Sequence, residues 1–562
     1  MEEIIVTPIM SKRKWSVSKR WRRFAGLAGI VGLAVMVQIN TPTHAQQTVS
    51  KGSVGQPIAS TAMITVEAAE ERSVADMPSL APGLLEETQQ LRFLTDLPPA
   101  LYKAMKEQAA QGPARAGVRG PHGAEALAPP TLKNFSFNGV SQTAGGVIPP
   151  DPHGAVGKTH FVQVTNSHVD IYTTTVPPAL VKSVKLNSFF GEPILPQFGN
   201  FLFDPRVVYD PIWNRWIIIA TRRALSPTDT VHKFRLAVSK TSNPAGSYHS
   251  YNVNFGGAPF QDGDFWDYPQ LGFDQDAIFI TGNIFTGSDV FRTTAMMPIA
   301  KARLYNGLAF SAPIFTGLTP TLAPPIVQDD NADAYFVAAN DGTTLHLYRG
   351  TNLSNPAEAT VVLQANVPVP AYTAPPDAAQ PGTVVLLDTL DRRFVNASSQ
   401  VGDSLWNVHS VNVGGFSTPR FYQIDTEGAG ANTIKQQGDF SASATSHDWN
   451  ASIAANALDE AFVTWSSTDP SNNFQAQVRF SGRQLIDVLG VIPAGAALFQ
   501  STTFYAGFGQ TSGTTRWGDY SAVSLQPNAN GTCEANRRAW IVNQKNNGNT
   551  TWGTRIGRIG FC

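Results

Sequence analysis

Short apolar and polar runs alternate along the chain from about residue 131 to residue 562. The runs are rich in β-branched and aromatic residues, are separated by Gly, Pro, Asn and Asp, and show almost no helical periodicity. This pattern is typical of β-strands joined by turns. It predicts that residues 131–562 form an all-β domain.

A loosely repeated unit organises this region. Each copy has an Asp- or Pro-containing start, a short apolar strand, a polar turn and a longer β run, and successive copies begin about 60 residues apart. Seven copies occur, at 151–156, 204–207, 267–271, 324–326, 393–395, 449–453 and 517–523. Each copy is therefore predicted to begin with a hairpin, and the domain to be a seven-bladed β-propeller, because radial repetition protects the edges of such sheets. Counts of six or eight blades stay open, whereas a β-helix is disfavoured because its repeats are shorter.

The N-terminus has the layout of a secretory signal peptide. A cationic stretch ending at Arg23 precedes an apolar run over 24–37, and a small residue follows at Ala45. A run of this length is too short for a membrane span, which needs about 20 helical residues. We expect cleavage after residue 45, with an uncleaved N-terminal anchor as the alternative.

Residues 46–130 differ in composition from the rest of the chain: they are rich in Ala, Glu, Gln and Pro and contain almost no aromatic residues. They are expected to pack no core and to form a disordered or partly helical segment. The apolar residues of this stretch predict one or two short amphipathic helices; they are Leu91, Leu94, Leu97, Leu101 and Met105. The run over 111–130 is typical of a flexible linker. A pro-segment, a spacer from the cell surface and a docking helix all fit this segment.

Removal of the signal peptide makes the chain acidic. Seven of the 41 Lys and Arg residues but only two of the 42 Asp and Glu residues precede Gln46. An acidic balance offers no polyphosphate-binding surface, so nucleic acid and anionic membranes are not expected partners. No later stretch is apolar and long enough to span a membrane. The mature chain is predicted to be a monomer that is secreted, periplasmic or on the cell surface.

The chain has two cysteines, Cys533 and Cys562. In an oxidising compartment such a pair is predicted to form one disulfide, which would fasten the C-terminus to the last repeated unit. A metal site built on these thiols would need further Cys or His residues nearby in the sequence, and none is there.

Several stretches resemble a family of secreted bacterial β-propellers with a sialidase-like shape. The resemblance is densest at 150–157, 203–210 with 215–216, 387–397, 404–406, 516–521, 554–556 and Cys562. It implies the propeller fold but no particular activity, because activity in that family is mostly unassigned and propellers host many chemistries. The sialidase Asp-box, Ser-x-Asp-x-Gly-x-Thr-Trp, is only echoed at 545–552, with glycine one place early and asparagine replacing aspartate.

Polar residues at the starts of the predicted blades are the site candidates, because first strands line the channel of a propeller and its rim. The catalytic candidates are His153, Arg206, Asp267, Tyr268, Arg393, Asp519 and Tyr520, and the ligand-binding candidates are Asp151, Asn396 and Arg516. His or Tyr beside Arg suits a polysaccharide lyase, and paired Asp residues suit a hydrolase. The three arginines would clamp a carboxylate if they converged. Alternatively they are structural and pair with Asp204, Asp391 or Asp519.

One metal site is predicted. Asp262, Asp264 and Asp267 are calcium candidates, although a loop solvated by its own carboxylates explains them as well. The stretch at 154–159 ends like a phosphate loop, but Pro152 stands where its first glycine should be, so no nucleotide is expected. No Gly-x-Ser-x-Gly elbow occurs.

Two functions remain after these exclusions. The first is a non-catalytic secreted or surface propeller that binds a glycan or an extracellular protein through its channel rim. The alternative is a polysaccharide-active glycoside hydrolase or lyase. Two nearby carboxylates at the channel mouth, or His or Tyr beside Arg, would favour catalysis, whereas a flat aromatic rim would favour binding.

Overall fold

The structure, a computed structural model, describes residues 53–79, 89–91, 93–112, 129–192, 202–223, 228–339, 341–507, 510–529 and 531–562. The predicted signal peptide and much of the predicted linker lie outside these residues. Within the described ranges, no helix has the length and apolar character that a bilayer crossing requires.

Strands dominate the described chain, which confirms the all-β prediction. The helices are short: α1 (Pro99–Ala110), α2 (Gln142–Gly145), α3 (Leu186–Phe190) and α4 (Lys301–Leu304), with 3-10 turns at Gly428–Gly430 and Pro470–Asn472. Helix α1 lies where the sequence predicts an amphipathic helix. Leu91, Leu94 and Leu97 precede it in non-helical chain.

The strands that precede the repeated units are β1 (Pro57–Ile58), β2 (Ala62–Val66), β3 (Glu70–Ser73), β4 (Gln89–Gln90), β5 (Thr131–Ser141) and β6 (Val147–Ile148). Sheet 1 contains β7 (His153–Val156), β8 (His160–Val164), β9 (His168–Thr173) and β10 (Leu180–Lys185). Sheet 2 contains β11 (Leu202–Asp210), β12 (Arg215–Arg222), β13 (Lys233–Ser239) and β14 (Ser247–Asn254). Sheet 3 contains β15 (Phe265–Phe273), β16 (Ala277–Phe285), β17 (Phe291–Ala300) and β18 (Phe310–Thr316).

The remaining sheets follow in chain order. Sheet 4 contains β20 (Ala334–Ala339), β21 (Thr344–Thr351) and β22 (Thr360–Pro368), preceded by β19 (Pro325–Val327). After β23 (Leu386–Leu387), sheet 5 contains β24 (Ser398–Val401), β25 (Ser404–Val413), β26 (Phe416–Asp425) and β27 (Thr433–Asp439). Sheet 6 contains β28 (His447–Ala455), β29 (Ala461–Asp469), β30 (Phe474–Arg483) and β31 (Ala496–Gln500). After β32 (Thr514–Thr515), sheet 7 contains β33 (Ala522–Leu525), β34 (Arg538–Asn546) and β35 (Trp552–Gly560).

Each repeated unit begins with a hairpin, as the sequence predicts. The first strand of a sheet pairs antiparallel with the second in sheets 1, 2, 3, 5, 6 and 7. In the fourth unit, Ala323 just before β19 makes an antiparallel bridge to Val337 of β20. Strand β19 also pairs in parallel with β15 and with β24, so sheets 3 and 5 belong to one hydrogen-bonded sheet of ten strands.

The first strands form a closed ring. Each contacts the first strand of the next unit in chain order, and β33 contacts β7. Apolar side chains fill the space between each pair of consecutive sheets, including the pair formed by sheets 7 and 1. The cores therefore lie between sheets that pack face to face, and the ring of first strands surrounds the central axis.

The segment before the repeated units adds strands to the outer edges of the sheets. Strand β3 pairs with β14, β2 with β18, β1 with β22 and β5 with β35. Ile64 and Val66 join the core between sheets 2 and 3, and Val74 and Met77 join the core between sheets 1 and 2. The expectation that this segment packs no core is therefore wrong for these residues, because the outer edges of the sheets supply the partner surface that the segment itself lacks.

The disulfide prediction is confirmed, since Cys533 and Cys562 are bonded to each other. Cys533 precedes β34 and Cys562 follows β35, so the bond lies beside the start of β34 and the end of β35, the two inner strands of sheet 7 with its added strand β5.

Candidate functional site

The ring of first strands surrounds a cavity of about 110 Å³. Residues of all seven first strands or of the turns beside them line this cavity, and none of the lining residues is Asp, Glu, Lys or Arg. Burial, followed by the charge of Arg206, holds the pKa of His153 well below its usual range, so this lining is uncharged at neutral pH. Of the predicted site residues, only His153 and Asn396 line this cavity.

Eight other predicted site residues and Asp204 come together where the first strands begin. We call this group the axial cluster; it comprises Asp151, Asp204, Arg206, Asp267, Tyr268, Arg393, Arg516, Asp519 and Tyr520. The rings of Tyr268 and Tyr520 lie 4.9 Å apart, and the guanidinium of Arg393 lies 4.4 Å from the ring of Tyr268. The carboxyl groups of Asp151, Asp204, Asp267 and Asp519 are close enough to raise one another's pKa.

Backbone geometry turns these side chains toward the axis. Six units have a non-glycine residue of positive φ within the first strand or a few residues before it; within β11, β15 and β28 these are Asp204, Tyr268 and Asn450, and before β7, β19 and β24 they are Asp151, Thr321 and Leu390. The strand register shifts at this point in β11, β15 and β28, as in a β-bulge, which re-aims side chains. Pro205 and Pro269 follow two of these residues at the register shifts in β11 and β15, because a bulge tolerates a residue without an N–H.

The four buried carboxyl groups have pKa values raised into the neutral range. Burial raises the pKa of Asp151 to about 7 and that of Asp267 to about 7. Burial also raises the pKa of Asp204 to about 8 and that of Asp519 to about 8. Like charges nearby add to each shift, while the arginines oppose it. The axial cluster therefore contains carboxyl groups that can donate a proton at pH 7.

Tyr520, Asp204 and Arg206 form a connected group. The hydroxyl of Tyr520 donates to Oδ2 of Asp204 at 2.6 Å, and the Arg206 guanidinium carbon lies 3.3 Å from the centre of the Tyr520 ring. Arg206 also donates to the backbone oxygen of Pro269 at 2.8 Å, to Asn396 at 2.9 Å and to the backbone oxygen of Val395 at 3.1 Å. Arg206 thus links the start of sheet 2 to those of sheets 3 and 5 and does not hydrogen-bond Asp204 among the described contacts.

The other two arginines are paired with aspartates. Arg393 donates to both oxygens of Asp391 at 2.8 Å, and Arg516 donates to Asp388 at 2.5 Å and to Asp519 at 2.6 Å. Burial acts to raise the pKa of Asp391, but the Arg393 charge outweighs it and holds the pKa at about 2. Two of the structural pairs predicted as the alternative to a clamp are therefore present.

Three donors of the axial cluster have spare capacity. Nη1 of Arg393, Nε of Arg516 and the hydroxyl of Tyr268 are buried and have no hydrogen-bond partner among the described residues. Buried polar groups are normally hydrogen-bonded, and an unpaired one costs about 1–3 kcal/mol. These donors are available to an anionic or hydroxylated ligand.

The predicted calcium ligands are not brought together. Asp264 is buried and pairs with Arg292 at 2.8 Å, Asp262 has a side chain that is 67% exposed, and Asp267 belongs to the axial cluster. Within the part of the chain that the structure describes, no three His, Cys, Asp or Glu residues form a group suited to a metal ion. The arrangement matches the alternative reading of Asp262 as a solvated loop carboxylate.

Sequence reasoning missed two parts of the site. Asp388 pairs with Arg516, although its sequence neighbourhood carried no signal beyond the match at 387–397. The segment around Phe93 covers the cluster, with its ring 4.9 Å from the Arg393 guanidinium. The long separation in sequence hid this contact, because only the fold brings Phe93 to the axis.

Comparisons with known proteins add little to this picture. No family model matches the chain, and no curated protein matches it. A Trypanosoma rangeli sialidase aligns over 64% of this chain and 55% of its own, about half its length, at 10% identity and a TM-score of 0.33. An exo-β-1,3-galactanase from Phanerochaete chrysosporium aligns over 77% of this chain and 96% of its own, at 12% identity and a TM-score of 0.30. An N10 neuraminidase-like protein of A/little yellow-shouldered bat/Guatemala/060/2010 aligns over 64% and 98%, at 10% identity and a TM-score of 0.33. Similarities of this size leave function to be argued from the site.

Proposed function

We propose that sheets 1 to 7 are the blades of a seven-bladed β-propeller, and that the axial cluster is the active site of an exported enzyme that hydrolyses glycosidic bonds in acidic glycans. The blade count is supported by the closed ring of first strands and by the apolar core between every consecutive pair of sheets. Export is supported by the disulfide between Cys533 and Cys562, since such bonds persist in oxidising compartments.

The observation that supports catalysis most strongly is a group of carboxyl groups with raised pKa values, which lies beside the Tyr520–Asp204 hydrogen bond and three arginines. A general acid must hold its proton at the working pH, and buried carboxyl groups with pKa values of about 7 to 8 do so near neutrality. Tyr beside Arg at the start of the channel is also the arrangement that favours catalysis over binding.

The residues divide into three roles. Asp267 protonates the leaving-group oxygen as the glycosidic C–O bond breaks. The Tyr520 oxygen bonds to the anomeric carbon while its proton passes to the ionised form of Asp204, which is the minor form at pH 7 because the pKa of Asp204 is about 8. Arg206 stabilises the negative charge that develops on the Tyr520 ring. Water then attacks the anomeric carbon, giving one proton to Asp267 and releasing the sugar from Tyr520, which recovers its proton from Asp204.

An acidic substrate follows from the free donors of the cluster. Nη1 of Arg393, Nε of Arg516 and the Tyr268 hydroxyl have no hydrogen-bond partner among the described residues. A carboxylate on the sugar would accept these hydrogen bonds, and charge-assisted bonds of this kind are about twice as strong as neutral ones.

Replacement of Tyr520 tests the proposed reaction. The purified chain is incubated with acidic and neutral polysaccharides while new reducing ends and unsaturated uronate are followed. Tyr520→Phe and Asp204→Asn are expected to lower cleavage by at least about 100-fold, because each removes a proton-transfer group. Tyr305→Phe is the matched control, since Tyr305 makes an equivalent buried hydrogen bond to Asp210 outside the axial cluster. Equal activity in Tyr520→Phe and wild type would refute the assignment.

Non-catalytic binding of a glycan or an extracellular protein stays the second candidate. It is favoured by one observation, the pairing of Arg393 with Asp391 and of Arg516 with Asp388 and Asp519, which uses much of the arginine charge within the protein. This reading predicts calorimetric binding of a glycan with no new reducing ends or unsaturated uronate. The monomeric state likewise stays a prediction.

A further inference from the structure

The axial cluster is covered by a segment of the chain that precedes the sheets. We call residues 93–112 the strap; it contains Phe93, Leu94 and Thr95 in extended chain, followed by helix α1. Upstream of it, the backbone N–H of Leu91 donates to Ile148 at 2.6 Å, next to the short pairing of β4 with β6. The chain just before the strap is therefore hydrogen-bonded to β6, which precedes sheet 1.

An aromatic ring of the strap lies on the arginines. The centre of the Phe93 ring is 4.9 Å from the guanidinium carbon of Arg393 and 5.3 Å from that of Arg516. The ring also packs against the apolar group formed by Tyr268, Leu390, Val395 and Tyr520. A guanidinium binds an aromatic face by cation–π attraction. Phe93 thus occupies the face from which a ligand would reach Arg393 and Arg516.

Polar atoms of the strap form hydrogen bonds with Arg393 and with its partner Asp391. The backbone oxygen of Leu94 accepts from Nη2 of Arg393 at 3.2 Å, and the Thr95 hydroxyl donates to Oδ2 of Asp391 at 3.3 Å. A carbonyl oxygen beside a hydroxyl presents chemistry like that of a sugar. The strap therefore satisfies part of the cluster in the way that a bound glycan would.

Helix α1 anchors the strap through one buried cation. Nζ of Lys106 lies 2.7 Å from Asp377 and donates to the Thr389 hydroxyl at 2.8 Å and to the Leu390 backbone oxygen at 2.7 Å. Leu390 is the residue of positive φ at the start of the fifth unit. This anchor holds the helix beside Arg393, together with Tyr102 of the helix, whose ring lies 5.1 Å from that of Phe93.

The helix itself is weakly built. Its N-terminus has no side-chain capping hydrogen bond, no acidic residue stands in its first turn and no basic residue in its last. An isolated helix of about 12 residues is marginal in water. The opposite face is solvent-exposed, including Leu101 at 53% exposure and Lys103. Local opening of the strap therefore needs less free energy than unfolding of the sheets.

The charge of Asp96 also works against tight closure. Burial, followed by the charge of Asp391, raises the pKa of Asp96. The position of Asp96 in the closed strap is therefore less favourable for an ionised carboxylate than water is.

We propose that the strap is an intramolecular inhibitor, which occupies the ligand position of the axial cluster and must be displaced before a glycan reaches Arg393 and Arg516. This inference rests on the proposed function for the identity of the ligand, but displacement and binding can be measured without any cleavage.

Paired substitutions in the full-length mature chain test the strap. Phe93→Ala removes the ring from the arginines, and Lys106→Met removes the buried anchor. Leu101→Ala and Lys103→Met are the matched controls on the exposed face of the same helix. Backbone amide hydrogen exchange over α1 measures displacement, calorimetry with oligogalacturonate and sialyllactose measures binding, and reducing ends measure cleavage.

The double variant Phe93→Ala/Lys106→Met is expected to exchange the α1 amides at least 10-fold faster and to bind the acidic oligosaccharide at least 10-fold more tightly than wild type. Each single variant should show part of both effects, and the two controls should match wild type. If the double variant fails to fold by circular dichroism, Lys106→Met alone decides, because it leaves the aromatic packing intact.

Four outcomes separate the inhibitor from the enzyme. Faster exchange without tighter binding would overturn the inhibitor, and so would unchanged exchange and binding in the double variant. Tighter binding with no cleavage by any variant would support the inhibitor while contradicting the proposed hydrolase. Tighter binding together with faster cleavage would support both.

Discussion

The residues of positive φ in or just before the first strands contribute both to the fold and to the candidate chemistry. Asp151 and Asp204 adopt φ values of +47° and +51°, a region that Asp tolerates better than most residues. Tyr268 adopts +51°, which is unusual for a large side chain, and its hydroxyl is buried without a described partner. Strain of this kind persists where surrounding structure enforces it, and it accumulates at functional sites.

Protonation of the axial cluster should make stability fall as pH rises. The native pKa values of Asp151, Asp204, Asp267 and Asp519 exceed the ordinary aspartate value, so the native state binds more protons than the unfolded state between about pH 4 and pH 8. The facing charges are the cations of Arg206, Arg393 and Arg516 and the carboxylates of Asp388 and Asp391. The stabilisation is complete below the unfolded pKa values and is lost as pH rises through the native ones.

Urea unfolding at several pH values measures this dependence. Asp267→Asn replaces a titrating group with a neutral one of the same size, so it should reduce the downward slope by at most about 1.4 kcal/mol per pH unit, the value for one proton. Asp262→Asn, on an exposed side chain, should keep the wild-type slope. A wild-type stability that rises from pH 5 to pH 8 would contradict the assignment of these carboxyl groups as proton carriers.

At the scale of elements, the outer strands that the N-terminal segment adds to the sheets form only because the sheets provide them with a partner strand. Strand β2 has only five residues, with Met63 and Thr65 exposed and Ile64 and Val66 buried. That alternation is present in the sequence, but five residues cannot form a stable sheet alone. The edge strand β18 provides the partner, and the core between sheets 2 and 3 then accepts the two apolar side chains.

Ile64→Ala should therefore destabilise the protein by about 2 kcal/mol, the low end for a buried Ile→Ala change, because the site lies at a sheet edge. Met63→Ala on the same strand removes a side chain that is 51% exposed and should change stability by less than about 0.5 kcal/mol. Denaturant unfolding measures both. Equal effects of the two substitutions would show that β2 does not pack as described.

At the scale of the whole molecule, sheet 7 joins distant parts of the chain. Strand β5 pairs with β35, more than 400 residues later, and β33 contacts β7 of sheet 1. The disulfide between Cys533 and Cys562 lies beside the start of β34 and the end of β35 in the same sheet. Closure of the ring therefore depends on noncovalent strand pairing on one side of sheet 7 and on a covalent bond beside it.

Removal of that bond should weaken the closure. Cys533→Ser/Cys562→Ser opens a loop of about 30 residues and should cost about 3–4 kcal/mol on the chain-entropy description. Denaturant unfolding of the variant, compared with reduced wild type, measures the loss, and intact mass before and after reduction checks that the bond is present. Wild-type stability in the double variant would mean that strand pairing alone closes the ring.

Much of the architecture was predictable from local patterns. The predicted unit starts at 204–207, 267–271 and 449–453 lie within β11, β15 and β28, and each unit begins with a hairpin. The pairing of β19 with both β15 and β24 was not predictable, because a three-residue strand carries no signal of its partners. The outer positions of β1, β2 and β3 were missed for the same reason.

The candidate site was predictable only as a set of residues. Polar residues at the unit starts identified Asp151, Arg206, Tyr268 and Tyr520, since first strands of a propeller converge on its axis. Their partners were not predictable in full: Arg516 pairs with Asp388 as well as Asp519, and Arg206 bonds Asn396 and not Asp204. Which carboxylate an arginine reaches depends on distances across the axis, and sequence spacing does not encode those distances.

The sequence by itself determined the all-β class, the repeated units and the cysteine pair, because alternation, turn residues and cysteine count act locally or by simple pairing. Tertiary structure alone decided that the carboxyl groups of the axial cluster are buried together with raised pKa values, and that Phe93 of the strap lies on Arg393 and Arg516. Burial and covering are properties of the space between segments far apart in the chain, so they exist only once the sheets have closed into a ring.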